Sequence, residues 1–428
     1  MTAAEQIDQA VEAHNSGNLA DAERVYRQVL RDEPDNTDAM HLLALLENQK
    51  GNTPIAVELL KQAIGINPQA DLFHINLASI YASAGQHEAA ISEYKLATEL
   101  NSNAPAMVFA QMAGSLAATG KLEESAHALQ WAVQREPSAQ WYLMLAEVLH
   151  RLNRIDEATE AVGQSLKIRD DLPEAYGVLG LLMDSQNKLS EAEGCFRKAI
   201  ELRPNLAAAH QNLGRVLNRA GRWHEAVVVL QRAISLDPNL PQAHNNLGDA
   251  LRTVGRADEA LAHYRLATEM YPNFVEAWAN QGDLLLSRRK LKEAVEALNR
   301  AIAIRATPGM YVRLGQALAG LDQFDESLEA MGLACECNPT TSEAYTALGS
   351  ILYWLGRVDE AMVAYRGATI INPDASRSAP TASSTTPSEI RATTNSGTSA
   401  VPSNPSACPL NRRSPPKTTP PMSVNRCV

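Results

Sequence analysis

The sequence predicts an all-α protein, an α-solenoid of about eleven helix-turn-helix repeats over residues 3–373, followed by a disordered tail. Three observations predict this class: regularly spaced prolines, small residues paired within each period, and an Ala- and Leu-dominated composition with 45% apolar but only 5% aromatic residues. Each separation between consecutive prolines of the series is one or two multiples of 33 to 35 residues. The prolines are Pro34, Pro68, Pro137, Pro204, Pro238, Pro272, Pro339 and Pro373.

One period, residues 241–272, shows how each part of the sequence defines a structural element. Pro241 suits the first turn of a helix, where a missing N–H costs nothing. An apolar stripe recurs at three and four residues, and Gly255 then ends this first helix because glycine accepts the left-handed conformation. Asp258 and Glu259 open a second helix near its positive end, and Pro272 stops it. Each period therefore predicts two antiparallel helices.

Small residues recur twelve positions apart in six consecutive periods, and they indicate where the two helices cross closely. A larger side chain at such a crossing typically costs about 1–3 kcal/mol. The pairs are Gly180 with Ala192, Gly214 with Ala226, Gly248 with Ala260, Gly282 with Ala294, Gly315 with Ser327 and Gly349 with Ala361.

The residues of this unit resemble the tetratricopeptide-repeat (TPR) family. Residues 243–250 (AHNNLGDA), then 255–260 (GRADEA) and Pro272, are similar to the family consensus at nearly every signature site, and the resemblance covers about 370 of the 428 residues. It implies a right-handed superhelix whose first helices line a concave surface. Where the inter-helix glycine is expected, the chain has Asn153, Asn187, Arg289 and Asp322. The expected repeats begin near residues 3, 37, 71, 106, 139, 173, 207, 241, 275, 308 and 342.

The net charge and the absence of targeting segments limit the classes of partner and location. The formal net charge is −11, and because residues 374–428 hold 6 Lys/Arg against 2 Asp/Glu, residues 1–373 carry 32 against 47, a net of −15. Phosphate backbones would repel such an array, so we expect no nucleic-acid partner and favour a protein or peptide.

A signal peptide and any run of 18 apolar residues are absent from the sequence, which predicts a cytoplasmic protein without membrane contact. The oligomeric state is not predicted.

The histidines are expected to serve packing rather than catalysis. His74, His210 and His244 stand at the fourth place of their repeats, where other repeats carry aromatic residues, so the place suits any flat ring. No catalytic, phosphate-binding or metal-binding motif appears, and we predict a non-enzyme with no cofactor and no metal site.

A line of asparagines is the most informative polar pattern. Asn212, Asn246 and Asn280 are spaced at 34 residues, and Asn76 holds the equivalent place in an earlier repeat. The pattern resembles the repeat superhelix of protein O-GlcNAc transferases, in which such asparagines contact the backbone of a threaded peptide. An amide both donates and accepts, so it suits backbone groups of any sequence. The alternative is that Asn is merely tolerated on an open face.

Charged residues accompany the asparagines. Asp249 and Asp283, three residues after two of them, are expected on the same face and could attract Lys or Arg of a ligand. Arg215, Arg252 and two further arginines, Arg219 and Arg313, would make the groove mixed in sign. A carboxylate clamp of the kind found in chaperone-binding members of the family is not supported, because Gln211 and Asp249 stand where Lys or Asn would be needed.

Two functions remain open from the sequence. The first is a protein-interaction scaffold that binds a peptide or protein in the concave groove. The alternative is the substrate-recruiting portion of an O-GlcNAc-transferase-like glycosyltransferase whose catalytic domain is absent from this chain. Residues 374–428, about half Ser, Thr or Pro, are expected to be disordered, either as a natural tail or as the product of a truncation or frame shift.

Overall fold

A computed structural model describes residues 2–372, and within them the chain forms twenty-two α-helices and no strand, which confirms the predicted fold class. The predicted tail, residues 374–428, lies outside the described residues. The helices are α1 (Ala3–Asn15), α2 (Leu19–Asp32), α3 (Thr37–Gln49), α4 (Thr53–Ile66), α5 (Asp71–Ser83), α6 (His87–Leu100), α7 (Ala106–Ala118), α8 (Leu122–Arg135), α9 (Ala139–Arg151), α10 (Ile155–Ile168), α11 (Pro173–Ser185), α12 (Leu189–Leu202), α13 (Ala207–Arg219), α14 (Trp223–Leu236), α15 (Pro241–Thr253), α16 (Ala257–Met270), α17 (Val275–Ser287), α18 (Leu291–Ile304), α19 (Pro308–Ala319), α20 (Phe324–Cys337), α21 (Ser342–Trp354) and α22 (Val358–Ile371).

Each repeat is a hairpin of an odd-numbered A helix and the even-numbered B helix that follows it. The turn between them contains one residue in the left-handed conformation, such as Gly255 with a φ of 85°. Where the sequence lacks that glycine, the conformation is kept: Asn153, Asn187, Arg289 and Asp322 have φ between 59° and 61°. We number places in a repeat from the first residue of its A helix.

The helices form two compact units, one of α1–α12 and one of α13–α22. Within the second unit, every A helix also packs on the next A helix, from α13 through α21. No pair of successive B helices packs this way in either unit, as far as residues 2–372 show. Since stacked hairpins bend toward the side on which their helices are closer, the A helices of the second unit line its inner, concave side.

Within a repeat, glycine at place 8 makes room for a large side chain at place 24. A Cβ on Gly248 would lie 2.5 Å from Cε1 of Tyr264, and one on Gly282 would lie 2.7 Å from Cγ of Leu298. Tyr264 and Leu298 are fully buried as a result. Glycine is therefore required at place 8 by the volume of the side chain at place 24. The backbone conformation does not require it, because place 8 lies within a regular helix.

The small residues twelve positions apart do lie at a close approach of the two helices. Ser327 at place 20 donates its hydroxyl hydrogen to the carbonyl oxygen of Gly315 at place 8, at 2.8 Å, and Ser125 makes the same bond to Ala113 at 2.8 Å. A side chain as short as serine thus already reaches the backbone of the facing helix. A longer side chain at place 20 has to displace that helix.

Ala260→Leu is accordingly expected to destabilise the protein by about 1–3 kcal/mol, because Ala260 is fully buried at place 20 of its repeat. Arg256→Ala, four residues away, is the matched control: its side chain is exposed and pairs with Glu259 on the surface, an interaction worth at most about 1 kcal/mol. Thermal melts followed by circular dichroism measure the difference. Equal melting temperatures would contradict the close crossing.

The last described repeat has a less covered B helix than the others. Met362 is 47% exposed, whereas Leu261 at the same place of an earlier repeat is 8% exposed. Tyr365 is half-buried, whereas Tyr264 is fully buried. In the earlier repeats of the second unit the A helix that follows packs on the B helix and covers part of its surface.

None of the helices in residues 2–372 combines the length and the apolar character needed to cross a bilayer.

Candidate functional site

The three asparagines spaced at 34 residues lie on successive A helices of the second unit. Asn212 is on α13, Asn246 on α15 and Asn280 on α17, all at place 6 and all half-buried. Asn76 occupies place 6 of α5 in the first unit. The second unit therefore has an asparagine at the same place of three successive inner helices.

Some of these asparagines join adjacent repeats. Asn280 donates from Nδ2 to Oδ1 of Asn245 on the preceding A helix, at 3.1 Å. In the first unit, Nδ2 of Asn76 lies 2.6 Å from Nε2 of His41 on the preceding A helix. Both bonds connect place 6 of one repeat with place 5 of the repeat before it. Part of the line consequently has a structural role that the sequence analysis missed. A polar residue 35 positions upstream does not by itself indicate that role, because Gln211 stands at that distance from Asn246 and forms no bond with it.

The side chains of Asn212 and Asn246 differ from those of Asn76 and Asn280. Neither makes a hydrogen bond with another residue in the part of the chain that the structure describes. Only the backbone of Asn246 is engaged: its carbonyl oxygen accepts from Nδ2 of Asn218 on α13, at 2.8 Å. Both amides are thus positioned by their helices and open to solvent. Such groups can donate to and accept from a peptide backbone without breaking an internal bond.

Asp249 faces the interior of its own repeat. The hydroxyl of Tyr264 on α16 donates to its Oδ1 at 2.6 Å. Burial raises the pKa of Asp249, and the Tyr264 bond and the charge of Arg252 partly offset that rise. The carboxylate predicted to attract a ligand thus already has a buried donor.

Asp283 is engaged with the next repeat. Its Oδ1 lies 2.6 Å from Nε of Arg313 on α19, and Nη1 of Arg313 also donates to the carbonyl of Gly309 at 3.2 Å. Burial raises the pKa of Asp283, and the charges of Arg313 and Arg252 act in the opposite direction. This ion pair connects two inner helices.

Arg252 is an exposed cation near the carboxylates of Asp249 and Asp283. Its charge lowers the pKa of both Asp249 and Asp283, so it lies near both carboxylates, yet it forms no ion pair or hydrogen bond of its own within residues 2–372. Arg215 on α13 is half-buried and has an interaction partner within the protein.

The predicted flat-ring place is a packing position with a shared hydrogen bond. At place 4, Nε1 of Trp278 donates to the carbonyl of Pro272 at 2.9 Å. Nε2 of His244 lies 3.2 Å from the carbonyl of Pro238, and Nε2 of His74 lies 3.4 Å from that of Pro68. Each ring thus ties its A helix to the proline that ends the preceding repeat.

The other ring nitrogen of these histidines faces the B helix. Nδ1 of His244 lies 2.9 Å from Nδ1 of His263, and burial lowers the pKa of both imidazoles. Nδ1 of His74 lies 2.7 Å from a carboxylate oxygen of Glu93. His210 is buried as well. Among residues 2–372, no three His, Cys, Asp or Glu side chains gather as they would around a metal ion.

Family models match most of the described chain. Tetratricopeptide-repeat models match residues 7–71, 245–311 and 342–374, and the model of the Cilia and flagella-associated protein 70 C-terminal domain matches residues 73–273.

Individual proteins match over shorter stretches. The chain is 29% identical to human Tetratricopeptide repeat protein 7A over 97 residues and to human Tetratricopeptide repeat protein 7B over 93 residues. These alignments span 23% and 22% of this chain but only 11% of each relative. Among solved structures, YrrB, described as a TPR protein with an unusual peptide-binding site, is 27% identical with a TM-score of 0.35, covering 42% of this chain and 93% of YrrB.

Proposed function

Because the chain belongs to the tetratricopeptide-repeat family, we propose that it is an interaction scaffold that binds a protein or peptide on the inner face of its second unit. One observation carries the proposal. The side-chain amides of Asn212 and Asn246 are at equivalent places of successive inner helices, half-buried, and without a hydrogen-bond partner among the described residues.

An extended peptide supplies what these amides lack. Its backbone offers one donor and one acceptor per residue, and each asparagine side chain offers both in return. Repetition along the helices lets successive amides contact successive parts of the same segment. Binding of this kind depends little on the partner's side chains, so other groups on the face have to supply specificity.

The test compares partner capture by the wild-type chain and by Asn212→Ala/Asn246→Ala. This pair of substitutions removes no hydrogen bond that the described residues make, because the bond from Asn218 goes to the backbone of Asn246. We expect the captured partners, quantified by mass spectrometry, to fall at least about fivefold, since each net hydrogen bond contributes about 0.5–1.5 kcal/mol.

A matched control is Asn239→Ala/Asn273→Ala/Asn299→Ala, which removes exposed asparagines that are not on the A helices. The control should capture the same partners as the wild type. If the inner-face variant also retains all partners while its melting curve is unchanged, the inner asparagines are only tolerated polar residues and the proposed site is wrong.

The alternative function, substrate recruitment for an O-GlcNAc-transferase-like domain, would use the same inner face. Translation of the DNA beyond the stop codon in all three frames separates the two: a glycosyltransferase-like sequence there would favour the alternative.

A further inference from the structure

We infer that the turn between α17 and α18 binds a phosphorylated side chain of a protein partner. The site is a shallow depression of about 280 Å³ at the edge of the second unit, where the A helix of one repeat gives way to its B helix. It is lined by Arg289, Lys290, Leu291, Lys292, Glu293 and Leu321. The inference goes beyond the proposed function and does not depend on it, because these residues lie outside the inner face.

The turn of this repeat differs in charge from the turns of all the others. Places 13–19 of a repeat form the turn and the start of the B helix, and in residues 287–293 they hold four Lys/Arg and one Asp/Glu, a net of +3 (4 − 1). The same seven places carry between −3 and +1 in the other ten repeats. Basic charge is thus concentrated in one turn of an acidic array.

The carboxylate that would neutralise this turn already pairs with another cation. In the preceding repeat, Arg256 at place 16 pairs with Glu259 at place 19, at 2.6 Å. In this repeat the carboxylate at place 19, Glu293, pairs instead with Arg265 of the preceding repeat, at 2.9 Å. Lys290 at place 16 therefore lacks the partner that its equivalent has.

Three cations of the turn remain for a ligand. The side chains of Arg289, Lys290 and Lys292 are exposed and form no ion pair or hydrogen bond within residues 2–372. The fourth cation, Arg288, pairs with Asp258 of the preceding repeat at 3.0 Å. The carboxylates that follow along the chain and pair with none of the three are Glu296, Asp322 and Asp325.

Arg289 stands where most repeats have a glycine in the left-handed conformation. Its φ is 60°, and Asn153, Asn187 and Asp322 share that conformation at the same place. Asn and Asp tolerate it because their short side chains can bond to the nearby backbone, whereas arginine has no such compensation. An arginine is thus held at this turn in spite of a backbone cost, which indicates a role for its side chain.

A phosphate monoester matches this group of cations. It carries about −1.5 to −2 charges and three acceptor oxygens, so one group can engage a guanidinium and two ammonium groups together. Leu291 and Leu321 are half-buried in the same depression and can contact the residues beside a phosphorylated side chain. A phosphate carried by a protein therefore gains contacts that free phosphate lacks.

The adjacent turns disfavour a long polyanion. Residues 253–259 carry a net charge of −1 (1 − 2), and residues 320–326 carry −3 (0 − 3). A nucleic-acid strand or an anionic membrane would extend over these turns and be repelled by them. A single phosphate group contacts the basic turn alone.

Fluorescence anisotropy with the full chain tests the inference. The probes are labelled nine-residue peptides in which two leucines flank a central phosphoserine or serine, and a labelled oligouridine of twelve nucleotides. We expect the phosphoserine peptide to bind at least about tenfold more tightly than the serine peptide or the oligouridine. Inorganic phosphate should compete at least about tenfold more weakly than the unlabelled phosphoserine peptide.

Lys290→Gln/Lys292→Gln should weaken binding of the phosphoserine peptide at least about tenfold. The matched control is Arg222→Gln/Arg256→Gln, which removes two cations from place 16 of two other repeats, where each pairs with a glutamate. This control should bind the phosphoserine peptide as the wild type does.

Arg289→Gly separates binding from folding. Glycine favours the left-handed conformation that residue 289 adopts, so the variant should melt at the same or a higher temperature. It should nevertheless bind the phosphoserine peptide at least about threefold more weakly, because one of the three cations is gone.

Three results would overturn the inference. They are equal binding of the phosphoserine and serine peptides, equal losses in the two double variants, and an affinity for oligouridine or inorganic phosphate that matches the phosphoserine peptide. None of them involves the inner face. If Asn212→Ala/Asn246→Ala captures every partner while the phosphoserine peptide binds as expected, the proposed function fails and this inference stands.

Discussion

Tyr264→Ala is expected to destabilise the protein by about 3–5 kcal/mol, the usual cost of truncating a fully buried aromatic side chain. Tyr264 is completely buried, and its ring fills the space above Gly248 on its own A helix. The substitution would leave a cavity and would also remove the hydroxyl donor from the half-buried carboxylate of Asp249. Urea unfolding followed by circular dichroism measures the loss.

Tyr365→Ala is the matched control, because Tyr365 occupies the same place in the last described repeat. Its ring likewise lies above a glycine, Gly349, and its hydroxyl donates to Ser350 at 3.1 Å. It is only half-buried, so truncation removes less apolar area from contact. If the two substitutions lower the urea midpoint equally, the burial supplied by the following repeat is not what stabilises place 24.

Gly180→Ala and Gly177→Ala should shift stability in opposite directions although both lie on α11. A Cβ at position 180 would lie 2.7 Å from the ring of Phe196, so the helix or the ring has to move, at a cost of about 1–3 kcal/mol. At position 177 a Cβ meets nothing within 4 Å. Alanine there should stabilise the helix by about 0.4–1 kcal/mol, because it restricts the unfolded chain.

Denaturant midpoints of the two variants and the wild type check this prediction. Both positions belong to the same repeat, so any stepwise unfolding of the array affects them alike. Destabilisation by both substitutions would mean that α11 disfavours alanine for a reason other than the volume of Phe196.

The repeated architecture was predictable from the sequence because its causes are local. Pro241 stands in the first turn of its helix, and Gly255 adopts the left-handed turn expected of it. Arg289 and Asp322 show the limit of such local signals: they adopt the same conformation without being glycine, since the hairpin that surrounds them determines the turn.

The partners of the polar residues were not predictable in this way. Equal spacing places Asn246 and Asn280 at the same helical phase, but only Asn280 donates to the preceding inner helix, at Asn245. Gln211 holds the same place before Asn246, yet these two side chains form no hydrogen bond. Asp249 and Asp283 also look alike in sequence, yet one accepts from a tyrosine of its own repeat and the other pairs with an arginine of the next.

The sequence by itself determined the helical class, the number of repeats and the conformation of most turns, since these depend on residues within one hairpin. The tertiary structure alone decided which amides are open and which carboxylates already have a partner within the protein. The physical reason is that a side chain on an inner helix finds its partner about 15 to 35 residues away, on a helix brought near by stacking.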